Sequence, residues 1–244
     1  MFRSIPNRKH SIMLLENLYY FSELQMLDCN MYILKDENEK LCLIDLGNGL
    51  SMKPLINTLE QHDLNPKNIS KILITHEHLD HIMGIYPLME LLKDNPPEIF
   101  AHPYTADLLE EGDENKVVPR MFGVDAKNFG LNVVPIKSIT RINENDELKI
   151  GIFDLKVIYT PGHSKGSISF YEMNNKILFP GDVVFPQGSF GRYDFPGCSL
   201  NDLKKSINRL AELDTIMLCS GHMPPVEEDA KLQIARSKKN INWM

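Results

Sequence analysis

Four cysteines, one tryptophan and no run approaching 18 apolar residues mark this 244-residue chain first by what it lacks. No stretch is apolar for long enough to span a bilayer as a helix. The N-terminal apolar stretch at residues 12–15 is cut by Glu16 and is too short for a signal-peptide core, despite Arg3, Arg8 and Lys9 before it. The cysteines, at 29, 42, 198 and 219, form no CxxC pair and no regular spacing. They read as reduced thiols of a cytoplasmic protein, not as a disulfide framework or a thiolate zinc site. An excess of positive charge is missing as well. With 26 basic against 33 acidic residues the net charge is −7, so no basic stripe is available for a phosphate backbone. Nucleic acid and membrane are therefore not expected as partners, whereas a small-molecule substrate is; the oligomeric state is not legible. Repeats and Gly/Ser linkers are absent too, and 43% hydrophobic residues suffice for a substantial core.

Hydropathy patterning then places the elements. Strands are expected at residues 18–24, 30–34 and 41–46, the last two paired across Asp36-Glu37-Asn38. A helix follows at 52–61, with Leu55, Ile56 and Leu59 on one face, and a short apolar strand at 71–75. A helix at 82–93 carries Pro87 early, which argues for a first-turn start or a kink. A strand at 98–102 and a helix at 105–111 precede an irregular segment, 112–130. The second half is strongly β, with strands at 149–152, 155–160, 167–172, 176–179 and 215–219. Ser199 and Asp202 form a capping-box-like pair opening a helix with Leu203, Ile207 and Leu210 inward, and a charged helix starts near Glu227. Residues 1–244 are expected to form one domain of α/β class, two sheets covered by helices in four layers.

Histidine is where the composition departs from the ordinary, with eight. Five lie in Thr75-His76-Glu77-His78-Leu79-Asp80-His81 or at two later strand ends, His163 and His222. Three histidines and an aspartate at such offsets arise by chance in roughly fewer than one chain in a thousand. The segment follows an apolar strand and precedes a helix, so a rigid sheet can aim its side chains into a cleft. Neutral imidazole and carboxylate suit zinc, iron or manganese. His76 and His78, two apart, can chelate one ion from an extended loop; Asp80 and His81, where the helix begins, point to a second. Three further turns place a candidate ligand directly after glycine: Gly162-His163, Gly181-Asp182 and Gly221-His222. Each alone reads as an ordinary turn, but together with the histidine segment they read as ligands.

The order HxHxDH, His, Asp, His resembles the metallo-β-lactamase superfamily over about residues 28–225. The resemblance implies an αββα sandwich and two divalent metal ions, zinc the first choice and iron or manganese the alternatives. It implies that His76, His78 and His163 hold one ion and Asp80, His81 and His222 the other, with Asp182 bridging. Asp45, in Leu43-Ile44-Asp45-Leu46-Gly47, matches an acid that supports a ligand histidine by hydrogen bond, as metal-bound imidazoles require. Thr75 and Ser164 read as turn residues. Asp182 separates the chain from the best-known β-lactamases, His78 from the flavodiiron proteins, and the lack of basic exosites from the RNA-processing branch. The run from Gly188 through Gly191-Arg192-Tyr193-Asp194-Phe195 to Gly197 resembles the glyoxalase II-like (hydroxyacylglutathione hydrolase-like) branch, here without its C-terminal helical domain. In glutathione-using relatives a basic residue at the place of Arg192 helps hold the thiol carrier's carboxylate, which makes Arg192 the candidate for substrate binding. The other reading pairs Arg192 with Asp194. Met223 stands where glyoxalase II has glycine.

The activity so implied is hydrolysis of a thioester, or a related small acyl ester, by a metal-bridging hydroxide, with Asp80 both a ligand and the catalytic residue that orients it. The rival is a mononuclear iron persulfide dioxygenase using His76, His163 and Asp182 as a facial triad. A lactonase and a non-catalytic metal-binding scaffold are lesser alternatives. Apolar residues within 12–21 and 112–130 are expected at the surface, where they would serve an interface.

Overall fold

The computed structural model describes residues 11–117 and 126–244. Expectations that rest on residues 118–125, or on Arg3, Arg8 and Lys9, lie outside the described residues. Seven strands form one sheet in chain order: β1 (Ser11–Leu15), β2 (Leu18–Phe21), β3 (Met31–Lys35), β4 (Leu41–Ile44), β5 (Ile69–Leu73), β6 (Glu98–Ala101) and β7 (Ile139–Arg141). The first four are antiparallel neighbours, and β4 to β7 run parallel. Parallel pairs require a crossover long enough to return the chain. The helix α1 (Met52–Gln61) supplies the first, and α2 (Leu79–Ile82) with α3 (Ile85–Leu91) the second; α4 (Pro103–Glu111) and α5 (Glu114–Val117) open the third.

The second sheet has five strands: β8 (Glu147–Ile150), β9 (Phe153–Tyr159), β10 (Ile168–Glu172), β11 (Ile177–Phe179) and β12 (Met217–Leu218), in the order β12-β11-β10-β9-β8. The helices α6 (Leu200–Leu210) and α7 (Ala230–Asn242) cover its outer face. Alternation along the strands builds the layers. Tyr32 and Leu34 of β3 meet Phe153, Leu155, Phe170 and Phe179 between the sheets. Met31 and Ile33 point the other way, into a core with Leu55, Leu59, Leu88 and Leu109 of the helices. Leu203, Ile207 and Leu210 of α6 and Ile234 of α7 close the opposite side. The layers run helix, sheet, sheet, helix, the αββα sandwich expected.

Several boundaries moved, each for a physical reason. The strand expected at 71–75 starts at Ile69 and stops at Leu73, which releases Thr75 into the ligand loop. The helix expected at 82–93 is two helices. The Gly84 amide donates to the Gly47 carbonyl and the His81 carbonyl accepts from Leu46, so both groups leave the helical ladder. Pro87 then falls in the first turn of α3. The edge strands β1 and β7 were not foreseen, and the segment 112–130 contains α5 and a 3-10 turn, Ala126–Phe129. Of the apolar residues at 12–21 and 112–130 expected at the surface, Met13 is exposed, whereas Leu18 to Phe21, Val117 and Phe129 are buried. Among the described residues no helix is long and apolar enough to cross a membrane.

Candidate metal centre

Five strand ends meet at one edge of the sandwich. Asp45 follows β4, the segment from Thr75 to His81 follows β5, and His163, Asp182 and His222 follow β9, β11 and β12. Backbone hydrogen bonds stitch these turns together: Ile168 N to Thr75 O across the two sheets at 2.9 Å, Gly221 N to Gly181 O at 2.9 Å, and Asn30 N to Gly221 O at 2.7 Å. The glycines before the ligands work in two ways. Gly162 (φ 132°) and Gly181 (φ 53°) occupy backbone conformations that disfavour side chains. Gly221 is there for space, because a Cβ on it would strike Asp182 Oδ1 and His81.

The seven expected ligands come together. His76, His78 and His163 bring three ring nitrogens within 4.8 Å of one another, as Asp80, His81 and His222 bring two nitrogens and a carboxylate oxygen. His76 Nε2 and His78 Nδ1 stand 3.1 Å apart, the spacing of two atoms each ~2.0–2.1 Å from one zinc ion. Asp182 lies between the groups, with Oδ1 3.4 Å from His81 Nε2, and Oδ2 3.2 Å from His222 Nε2 and 3.6 Å from His163 Nε2. Asp80 Oδ2 is 3.4 Å from His222 Nε2 and 3.9 Å from His81 Nε2.

In four of the five rings the nitrogen that faces away from the cluster has its own partner. His81 Nδ1 meets Asp45 Oδ2 at 2.8 Å, His163 Nδ1 the Arg192 carbonyl at 2.9 Å, and His222 Nδ1 Glu23 Oε2 at 2.9 Å. His76 Nδ1 lies 3.0 Å from Thr75 Oγ1, which donates to Asp45 Oδ2. Thr75 is thus part of the support and not an ordinary turn residue. Ser164 is not either: its hydroxyl donates to Glu77 Oε2, which also accepts from Thr105 and so ties the ligand loop to the His163 loop and to α4. Glu23 and Glu77 were missed by the sequence reading. Glu23 offers no local signal, being 199 residues from its histidine; Glu77 sits inside the motif, and its half-buried position is the signal that composition hides.

Electrostatics favour a cation here. Burial and the neighbouring imidazoles press His76 well below the ordinary histidine range, and burial lowers His163 and takes His78 down to about 3. All three are neutral, the ligand form. Burial opposes charge on His81 and His222 too, yet Asp182, Asp45 and Asp80 raise the first, and Asp182, Asp80 and Glu23 the second. Without metal, these two rings must take up protons to balance buried carboxylates. Among the described residues, His81 Nε2, His163 Nε2 and Asp182 Oδ1 are buried with no hydrogen-bond partner. Buried, unpartnered nitrogen and oxygen atoms that face one another fit divalent metal ions. Cys29 also approaches Asp45 and His81, but burial pushes its thiol up to about 12, and Asp45 Oδ2 and His81 Nδ1 are already bonded to each other.

A cavity of about 530 Å³ opens beside the cluster, walled by Leu27, Leu79, Phe185, Phe190 and Phe195. Arg192 reaches its rim, where its guanidinium forks onto Asp194 at 2.7 and 2.9 Å and lies over the Phe195 ring, 4.1 Å from the centroid. Met223, where glyoxalase II has glycine, adopts φ 67°, the left-handed conformation that glycine holds without strain.

Residues 25–222 match a family model described as the metallo-beta-lactamase superfamily. The hydroxyacylglutathione hydrolase GloC of Haemophilus influenzae is 32% identical over 197 residues, 79% of this chain and 84% of that one. A solved metallo-beta-lactamase family protein of Thermus thermophilus, TTHA1429, superposes with a TM-score of 0.76 at 22% identity, covering 95% of this chain and 81% of that one. The crystal structure of TTHA1623 in a di-iron-bound form superposes with a TM-score of 0.66 at 28% identity, covering 91% and 98%.

Proposed function

The chain belongs to the metallo-beta-lactamase superfamily, and from that membership we propose that it hydrolyses a thioester or a related small acyl ester. The observation that carries the reading is the convergence of two complete ligand groups, shared through Asp182, at the floor of a cavity with an apolar wall. His76, His78 and His163 would hold one divalent ion and Asp80, His81 and His222 the other. Zinc suits this donor set best, and the di-iron relative supports iron as the alternative. Bound there, the metals supply Lewis acidity toward the acyl carbonyl and bring water into its ionised range near neutral pH. Asp80, beside both His81 and His222, accepts a hydrogen bond from the attacking water and aims it at the acyl carbon. Expulsion of a thiolate asks little of a proton donor, because a thiol is acidic with a pKa near ~8.5. The glyoxalase II-like run and the GloC relative support a thioester over other acyl compounds. The four cysteines are all unpaired, which supports a reducing compartment such as the cytoplasm.

The test is elemental analysis of the purified protein, followed by parallel assay of S-lactoylglutathione for thioester loss and of glutathione persulfide with Fe(II) for oxygen uptake. Two metals per chain with thioester turnover is the expected result, and Asp80→Asn with its metals retained should lower kcat far more than it raises KM. Oxygen uptake at one iron per chain would establish the persulfide dioxygenase reading instead.

A further inference from the structure

The cavity beside the metal centre is not neutral about what it accepts. Five of its walls are apolar side chains, Leu27, Leu79, Phe185, Phe190 and Phe195. One aromatic ring stands beside each ligand group: Phe195 is edge-on to His78 at 6.2 Å between centroids, and Phe185 lies 5.9 Å from His222. Phe185 and Phe190 flank a tight turn whose base is the bridge between Val184 and Phe190. That turn is braced from outside by α7: Ser237 Oγ donates to Ser189 O at 2.8 Å, Asn240 Nδ2 to Gly188 O at 2.8 Å, and Gln233 accepts from Gln187 N at 2.9 Å. Leu27 holds its place on the wall with φ 58°, a conformation that leucine adopts at a cost.

The described cation on this rim is Arg192, and it is already engaged. Its partner Asp194 is two residues away and grips it in a fork. Both side chains are exposed, 63% and 58%, so the fork is a rim contact that an incoming carboxylate would have to displace.

We propose that this cavity is an acyl pocket that selects neutral, apolar acyl groups, aromatic or medium-chain aliphatic, with Arg192 withheld from carboxylate recognition by Asp194. The proposal rests on the hydrolase reading above for its chemistry, though its binding preference does not. It follows that an acyl group with a hydrocarbon body gains affinity along the Phe185–Phe190–Phe195 wall, while, among the described residues, an anionic acyl group meets no Lys or Arg on the cavity lining other than Arg192.

Two measurements on the metal-loaded protein test it. The first is kcat/KM for acetyl, butyryl, hexanoyl, benzoyl and succinyl thioesters of N-acetylcysteamine, one uncharged thiol throughout. Hexanoyl or benzoyl should exceed acetyl by roughly ten- to a hundredfold, with succinyl below butyryl. Phe190→Ala, and independently Phe185→Ala, should shrink the benzoyl-to-acetyl ratio. Asp194→Asn, which frees Arg192, should raise the succinyl-to-butyryl ratio about tenfold. The second is calorimetric binding of thioether analogues, which no hydrolase can cleave. The S-benzyl compound should bind more tightly than the S-carboxypropyl one. An acyl series without size dependence, a wild-type preference for succinyl, or tighter binding of the carboxypropyl thioether overturns the pocket assignment. Absence of any thioester turnover with the thioether order intact leaves the assignment standing and overturns the hydrolase reading.

Discussion

Asp45 uses both carboxylate oxygens at once: Oδ1 accepts from Thr75 N at 2.9 Å, and Oδ2 receives Thr75 Oγ1 at 2.7 Å and His81 Nδ1 at 2.8 Å. One buried carboxylate thereby fixes the tautomer of His81 and, through the threonine hydroxyl, the ring of His76. Asp45→Ala should weaken metal binding about ten- to a hundredfold, read by competition with a chelating dye; unaltered affinity would mean that the metals themselves orient the rings. Titration separates the two ligand groups. His81 and His222 are raised by their carboxylate neighbours and carry protons in the metal-free protein at neutral pH, so an incoming ion must displace them. His76, His78 and His163 are lowered and have none to lose. As pH falls, affinity at the first group therefore drops by about tenfold per unit for each proton displaced, while the second group holds. Dialysis at stepped pH should remove the ion on Asp80, His81 and His222 first; loss of both together would contradict this order.

Elements divide the labour between stability and geometry. Phe153 begins β9 and is fully buried between the sheets, whereas His163 follows the other end of the same strand. Phe153→Ala should cost about 3–5 kcal/mol in urea unfolding, yet folded variant protein should keep its metal stoichiometry. Ser199 caps α6 by accepting from Asp202 N at 3.3 Å, a smaller matter worth ~1 kcal/mol. Much of this scale was readable from local pattern: α1 falls at residues 52–61 as expected, and the paired strands of the second half lie within two residues of expectation. The misses share a cause. The break between α2 and α3 is made by hydrogen bonds to Leu46 and Gly47, residues distant in sequence, and β7 is a strand only because β6 lies beside it.

For the molecule as a whole, metal binding is linked to folding. An ion that binds the native state at a hundred times its Kd stabilises it by ~2.7 kcal/mol, equivalent to about 5–10 °C in Tm for a chain of this size. Treatment with a strong chelator should lower Tm by that order, and zinc should restore it; a Tm indifferent to both would show that the centre contributes nothing to the fold. The net charge of −7 conceals a centre whose local demand is for positive charge.

The candidate ligands were legible because metal chemistry dictates residue types at short, fixed offsets: His76, His78, Asp80 and His81 declare themselves within six residues. The layer architecture was legible because strand and helix periods are local as well. Partners across the chain were not. Glu23 behind His222, Asn30 under the Gly221 turn and the α7 brace behind Phe185 and Phe190 join residues far apart in sequence. Arg192 shows the division within one residue. Sequence made it a cation near a metal site with two readings, and the folded backbone put Asp194 in bidentate reach and Phe195 beneath it. Which charges are free depends on distances in three dimensions, and those exist only once the chain has closed on itself.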